Sequence, residues 1–176
     1  MLDPAARASI GERFKVVLMR PFEEIIVEHG AAVLRTCRAM VGDAEADDAW
    51  SDTFLAALRA YPELRPDSNV RSWLITIAHH KVIDRVRTVA RQAVPTAALP
   101  DRAMAVGGDP TVLDDSLRDA LASLAPKQRA AVTCRYLADM SYADVAALLG
   151  TNEAAARRSA ADGIANLRKV YPRRIS

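Results

Sequence analysis

His80, Asp84, Arg87 and Arg91 stand three or four positions apart, with Lys81 and Arg85 beside them. That spacing puts the four on one face of a helix. Cationic groups in a row along a helix suit phosphate oxygens. The loop just ahead carries Arg65, Asp67, Asn69 and Arg71, then Ser72 and Trp73. Amide, guanidinium and indole groups beside a basic helix match what captures unstacked bases, which are hydrogen-bonded on their edges and stacked on rings. The polar groups of the loop fit base capture, whereas the ring of Trp73 fits the core with Leu74 and Ile77. His79 shares its face with Ile83, Val86 and Ala90, which predicts a packed, hydrogen-bonded core histidine, with His80 exposed. Neighbouring helical residues point about 100° apart, so the His-His pair makes no metal site without a matching carboxylate cluster, and none appears.

Asp43, Glu45, Asp47, Asp48 and Asp52 form the second group, five acids without a base. Trp50 sits among them and fits two roles. It is an anchor in an interface that selects a basic protein partner, or a core residue with Phe54 and Leu58. The third group runs from Arg157 to Arg174, with six bases against Asp162. An acidic segment followed by two basic ones, on a chain whose net charge is only +2, points to one protein contact and two nucleic-acid contacts. There is no Gly-rich phosphate loop, no GxSxG and no paired carboxylates in an apolar setting, so nothing supports an enzyme. A small helical enzyme built on His79 or Cys134 would need a pocket, and the alanines and Leu137 around Cys134 predict a buried, inert thiol. No cofactor is expected.

These residues need helices to hold them. The chain has 176 residues, 51% of them apolar, with 7 glycines. Strand-like alternation is nearly absent, so the expected class is all-α. Phe22, Ile25, Ile26, Val33, Cys37, Met40 and Val41 form a helical stripe stopped at Gly42, with Pro21 in the first turn. Ala46, Ala49, Trp50, Thr53, Phe54, Ala57 and Leu58 form the next, ended by Pro62. A third helix runs from about Ser68 or Asn69 to Arg91. From Gln92 to Val112 come three prolines, a Gly-Gly pair and no stripe, which reads as a flexible linker spanning about 25 Å. Helices over Leu113–Leu124 and from Pro126 through Leu137 follow. Ser141 with Asp144 then forms a capping-box-like start for Tyr142–Leu149, Gly150-Thr151-Asn152 makes a turn, and Asn152 caps Glu153 to about Val170. A short helix, a glycine turn and a longer helix carrying Arg is the helix-turn-helix outline. No run of 18 apolar residues and no signal sequence is present, so the expected compartment is the cytoplasm, with Cys37 and Cys134 as thiols.

DDAWSDTFLAAL resembles the acidic helix with which bacterial sigma factors bind core RNA polymerase. NVRSWLITIAHHKVIDRVR resembles the segment after it, which melts and reads the minus-ten promoter element. LASLAPKQRAAVTCRYLADMSYADVAALLGTN resembles the C-terminal sigma domain. The likeness runs from about Phe22 to Val170, in the layout of the extracytoplasmic-function (ECF, group IV) sigma factors.

The resemblance implies two small helical domains. One is a region 2-like bundle over 21–91 that binds core polymerase and the minus-ten element. The other is a region 4-like helix-turn-helix domain over 113–176 that binds the minus-thirty-five element. Residues 92–112 are then the linker and 1–20 an extension without an assigned role. By resemblance, Asp47, Asp48, Trp50, Asp52, Thr53 and Phe54 serve core binding. Asn69, Arg71, Ser72, Trp73, His80, Lys81, Asp84, Arg85, Arg87 and Arg91 serve the minus-ten element. Thr151, Asn152, Glu153, Arg157 and Arg158 serve the minus-thirty-five element. The implied partners are RNA polymerase core (β′ and β subunits), promoter DNA and an anti-sigma factor, with a monomer when free and no membrane insertion. The chain departs from the family pattern after the turn, where Ala154-Ala155-Ala156 stands, at Asp162, where a base is common, and at Ser51, where glutamine is usual. The rival reading is a dimeric helix-turn-helix regulator of an operator.

Overall fold

A computed structural model describes residues 20–92 and 113–171 of the chain. Residues 1–19, 93–112 and 172–176, and with them the expected extension and nearly all of the expected linker, lie outside the described residues. Seven α-helices are present among the described residues, with no strand. They are α1 (Phe22–Val41), α2 (Asp43–Ala60), α3 (Val70–Gln92), α4 (Asp115–Ala122), α5 (Pro126–Val132), α6 (Tyr142–Leu148) and α7 (Glu153–Val170).

Local chemistry sets most of these boundaries. Gly42 takes φ 81°, ψ 174° and donates its N–H to the Arg38 carbonyl, so one residue ends α1 and starts α2. A side chain at that φ is strained, and glycine is not. Asn69 accepts the Ser72 N–H at 3.1 Å and starts α3. Asp114 accepts the Ser116 N–H at 2.8 Å, so α4 begins two residues later than expected from Leu113, which is buried ahead of it. The helix opened by Pro126 stays α only to Val132. Thr133–Leu137 forms a wider π turn in which the Ala138 N–H bonds the Thr133 carbonyl at 3.1 Å.

Helices α1, α2 and α3 pack through Ile25, Val33, Cys37, Phe54, Leu74 and Ile75, with alanines allowing close approach. In the second half, α5 and α7 approach so closely that a Cβ on Gly163 would lie 2.5 Å from Val132 Cγ2. Sequence periodicity did not anticipate the union of the two halves. Ala131, Cys134, Ala138, Met140 and Val145 join the same buried cluster as the first-half core. Ala39 of α1 sits in a second cluster with Leu113, Leu121 and Leu167. Polar bonds cross the same seam. Arg118 Nη1 lies 2.6 Å from Asp43 Oδ2, and Arg129 Nη1 donates to the Met40 carbonyl at 3.1 Å. Both cysteines are buried and free, and burial pushes each thiol up to about 12, which leaves them unreactive.

Candidate polymerase and promoter surfaces

Helix α2 divides the acidic group by direction. Thr53 is fully buried, its hydroxyl donating to the Ala49 carbonyl at 2.6 Å, and Phe54 is buried too. These two hold the helix to the core and present no side chain outward. Trp50 is half-buried, its Nε1 donating to the Gly30 carbonyl at 3.0 Å and its ring centroid 4.7 Å from that of Phe54. Of its two readings, the indole takes the core one. Along the middle of the helix Asp47, Asp48, Ser51, Leu55 and Leu58 face out, the two leucines about half exposed, with Asp43 exposed at its start and Arg59 near its end.

Arg85 is the largest departure from the sequence reading. It turns away from the rest of the basic row and into the acids of α2. Nη2 lies 2.7 Å from Glu45 Oε2 and 2.7 Å from Asp48 Oδ2, while Nη1 lies 3.2 Å from Asp52 Oδ2. The bonds to Glu45 lead the effects that raise its pKa further. One guanidinium thus bridges three carboxylates, leaves the cluster net negative, and clamps α3 to α2. A planar five-donor fork is the group suited to several carboxylates at once.

The remaining basic row stays available. His80, Asp84, Arg87 and Arg91 are exposed and Lys81 is half-buried, with Arg91 Nε donating to the Arg87 carbonyl at 3.2 Å. His79 is buried as expected, but its Nδ1 has no hydrogen-bond partner among the described residues, which corrects the hydrogen-bonded reading. Burial first, and the neighbouring His80 second, push it down to about 4. At the head of α3, Asn69 is occupied as the cap. Trp73 is half-buried with its ring 6.4 Å from Tyr61, and Arg71 is half-buried. Ser72 is 8% exposed and donates its hydroxyl to Asp144 Oδ2 of the second half at 3.1 Å. Asp144 therefore does not close the capping box. Ser141 still caps α6 by accepting the Asp144 N–H at 3.0 Å.

The turn between α6 and α7 uses Gly150 at φ 61°. Asn152 accepts the Ala155 N–H at 2.9 Å. Ala156, Ala160, Gly163 and Leu167 face inward, and Thr151, Asn152, Glu153, Ala154, Arg157 and Arg158 face solvent. Arg157 pairs with Glu153 one turn back. Among the described residues Arg158 and Asp162 form no ion pair, contrary to what their i+4 spacing allows. Sequence reasoning missed three residues beside this helix. The guanidinium of Arg157 lies 4.5 Å from the centroid of the Tyr142 ring, that of Arg135 lies 5.0 Å from the same ring, and the Tyr136 hydroxyl is 3.5 Å from that of Tyr142. Arg135 beside Tyr136, with Tyr142 opening the helix-turn-helix six residues on, was the available signal.

Comparison with known proteins shows the family. Residues 25–92 match the Sigma-70 region 2 model and residues 114–167 the Sigma-70 region 4 model. RNA polymerase sigma factor CarQ of Myxococcus xanthus is 32% identical over 169 residues, covering 90% of this chain and 94% of its own. The ECF sigma factor BldN of Streptomyces coelicolor is 30% identical over 179 residues, 97% of this chain and 67% of its own. The chain belongs to the ECF RNA polymerase sigma factors. Its fold resembles that of the sigma factor RpoE of Bartonella quintana, solved with the anti-sigma factor NepR, with a TM-score of 0.73 at 22% identity over 85% of this chain and 95% of that one. As an ECF sigma factor it binds RNA polymerase and directs promoter-specific initiation of transcription, and the operator-regulator reading is not favoured. Among the described residues no helix is long and apolar enough to cross a membrane.

Proposed function

We propose a division of labour among three surfaces of this sigma factor. The outward face of α2, with Asp47 and Asp48 flanked by Leu55 and Leu58, docks on core polymerase. Arg87, Arg91, Lys81 and His80 on α3, with Asn69, Arg71 and Trp73 at its head, engage the minus-ten strand. Thr151, Asn152, Arg157 and Arg158 at the start of α7 engage the minus-thirty-five duplex. Arg85, Thr53, Phe54 and Trp50 act by holding the first surface in shape. Residues 21–91 and 113–176 form the two working parts, joined by 92–112. The chain acts by binding rather than by catalysis, works in the cytoplasm, is a monomer when free, and is held in check by an anti-sigma factor, as RpoE is bound by NepR in its solved complex.

The observation that carries this reading is the separation of exposed charge: an acidic face on α2, and basic faces on α3 and α7 in different halves. Net charge is +2, so the free chain neutralises few phosphates at once and binds duplex weakly. The Ser72–Asp144 bond supports the same point, because Ser72 reaches a promoter strand only once that bond opens. The test is capture of core polymerase by the chain, followed by run-off transcription from duplexes selected by the resulting holoenzyme. Tight, sequence-specific retention of duplex by a dimer of the isolated chain at physiological salt would instead establish the operator regulator.

A further inference from the structure

Arg157 is assigned to the minus-thirty-five duplex above, but Tyr142 and Arg135, which gather beside it, have no role there. Three elements deliver the group. The π turn supplies Arg135 and Tyr136, the first turn of α6 supplies Tyr142, and the second turn of α7 supplies Arg157. Both guanidinium carbons lie within 5.0 Å of one ring centroid, inside the range where a ring face attracts a cation. Arg135 is fixed from behind, Nη1 donating to the Met140 carbonyl at 2.9 Å. Arg157 is fixed from the side by Glu153 yet remains 59% exposed at its side chain. Each guanidinium also has a carboxylate beside it, Asp139 at 3.7 Å for Arg135 and Glu153 for Arg157. The ring and these acids hold both donors in place before any phosphate arrives.

We infer that Tyr142 is a positioning residue for duplex DNA, its ring holding Arg157 and Arg135 as a preset pair of backbone-phosphate contacts beside the recognition helix. The inference rests on the promoter-binding reading of α7 and adds to it. Arg157 reaches DNA in one orientation rather than as a free arm, and Arg135, outside the helix, contributes a contact. Ordering a long side chain before binding removes part of the entropy lost on binding.

The experiment uses holoenzyme assembled from core polymerase and the full chain. The probe is the duplex that wild-type holoenzyme enriches from a randomised DNA pool. Affinity is measured across a salt series for wild type, Tyr142→Phe, Tyr142→Leu, Arg157→Lys, Arg157→Ala and the Tyr142→Leu/Arg157→Ala double variant. The phenylalanine keeps the ring face and holds wild-type affinity. The leucine loses it and binds roughly two- to fivefold more weakly, the scale of an exposed cation–π contact. Its dependence of log affinity on log salt becomes shallower by about one, the signature of a lost phosphate contact. Arg157→Lys keeps charge without a stacking plane and falls with the leucine variant, and the double variant is no weaker than Arg157→Ala alone. Wild-type slope and affinity in Tyr142→Leu, with its melting temperature intact, would overturn the inference, as would losses that multiply in the double variant. Wild-type holoenzyme that enriches no duplex would overturn the promoter reading itself and this inference with it.

Discussion

Replacing Arg85 by methionine separates two roles that the sequence alone merged. Resemblance places this residue on the minus-ten strand, while the geometry commits all three of its guanidinium nitrogens to Glu45, Asp48 and Asp52. Methionine keeps the apolar stem and removes the charge. The Arg85 side chain is 25% exposed and its three partners are 41%, 71% and 45% exposed, so each pair is screened and worth only ~0.2–1 kcal/mol. Asp48, the most exposed, contributes least. Adding the repulsion left among three unpaired acids gives a loss of about 1–2 kcal/mol. For a chain of this size each kcal/mol moves the melting temperature by roughly 2–4 °C, which predicts a drop of roughly 2–8 °C. The drop should shrink in high salt, where the Debye length falls to about 3 Å. Thermal melts by circular dichroism at low and high salt give the first number, and permanganate footprinting of the minus-ten region in holoenzyme gives the second. Arg85→Met should open the promoter nearly as well as wild type, and Arg87→Ala should not. A variant that melts like wild type at low salt but fails to open DNA would refute the clamp and return Arg85 to the strand.

Three further outcomes are expected. Asp47 is exposed and stands outside the Arg85 cluster, so Asp47→Arg should leave melting unchanged while weakening core affinity about tenfold, chiefly through slower association; biolayer interferometry with core polymerase decides this, and unchanged binding removes α2 from the interface. Reversal of Asp48 and Asp52 together is a poorer probe, because it also breaks the clamp. Gly163→Ala should cost about 1–2 kcal/mol, since overpacking against Val132 and the Gln128 carbonyl, 2.5 and 3.3 Å from the new Cβ, outweighs the gain of up to about 1 kcal/mol in helix propensity; chemical denaturation should show that adding Val132→Ala recovers part of the loss beyond additivity. His79 sits at about 4 against a usual 6.5, so the unfolded chain binds the proton more readily and stability falls with pH through that window, by up to about 3 kcal/mol from this group. Denaturation midpoints from pH 7 to 4.5 should flatten in His79→Leu, and an unchanged slope would deny the histidine its buried, neutral state.

What could be read from the sequence was local. Gly42, Ser141, Gly150 and Asn152 do their work within four residues, so residue type and spacing are enough to place them. The buried stripe of α7 was equally legible, because Ala156, Ala160, Gly163 and Leu167 repeat at the helical period. Arg85 was not legible, because nothing in a basic helix marks which arginine will find acids some forty positions earlier. Trp50 stayed open between surface and core until Gly30, a residue without a side chain, was seen to expose the carbonyl that receives its indole N–H. The seam between the halves was hidden for a related reason. Its members are small apolar residues, and Ala131, Cys134 and Ala146 look alike in a one-domain core and in a shared one.

That shared seam changes how the chain responds to being cut or heated. The two family segments invite separate expression, yet a first half produced alone would uncover Ala39, which packs with Leu113, Leu121 and Leu167, and the Met40 carbonyl that Arg129 reaches, and a second half would uncover its share of the common cluster. Each fragment would then carry a sticky apolar face and tend to self-associate. The intact chain, by contrast, should melt in a single calorimetric transition rather than two, because neither half completes its interior without the other. Sequence drift is constrained in the same way: a bulkier residue at Ala131 or Ala138, both fully buried in the common cluster, would strain the seam between the halves.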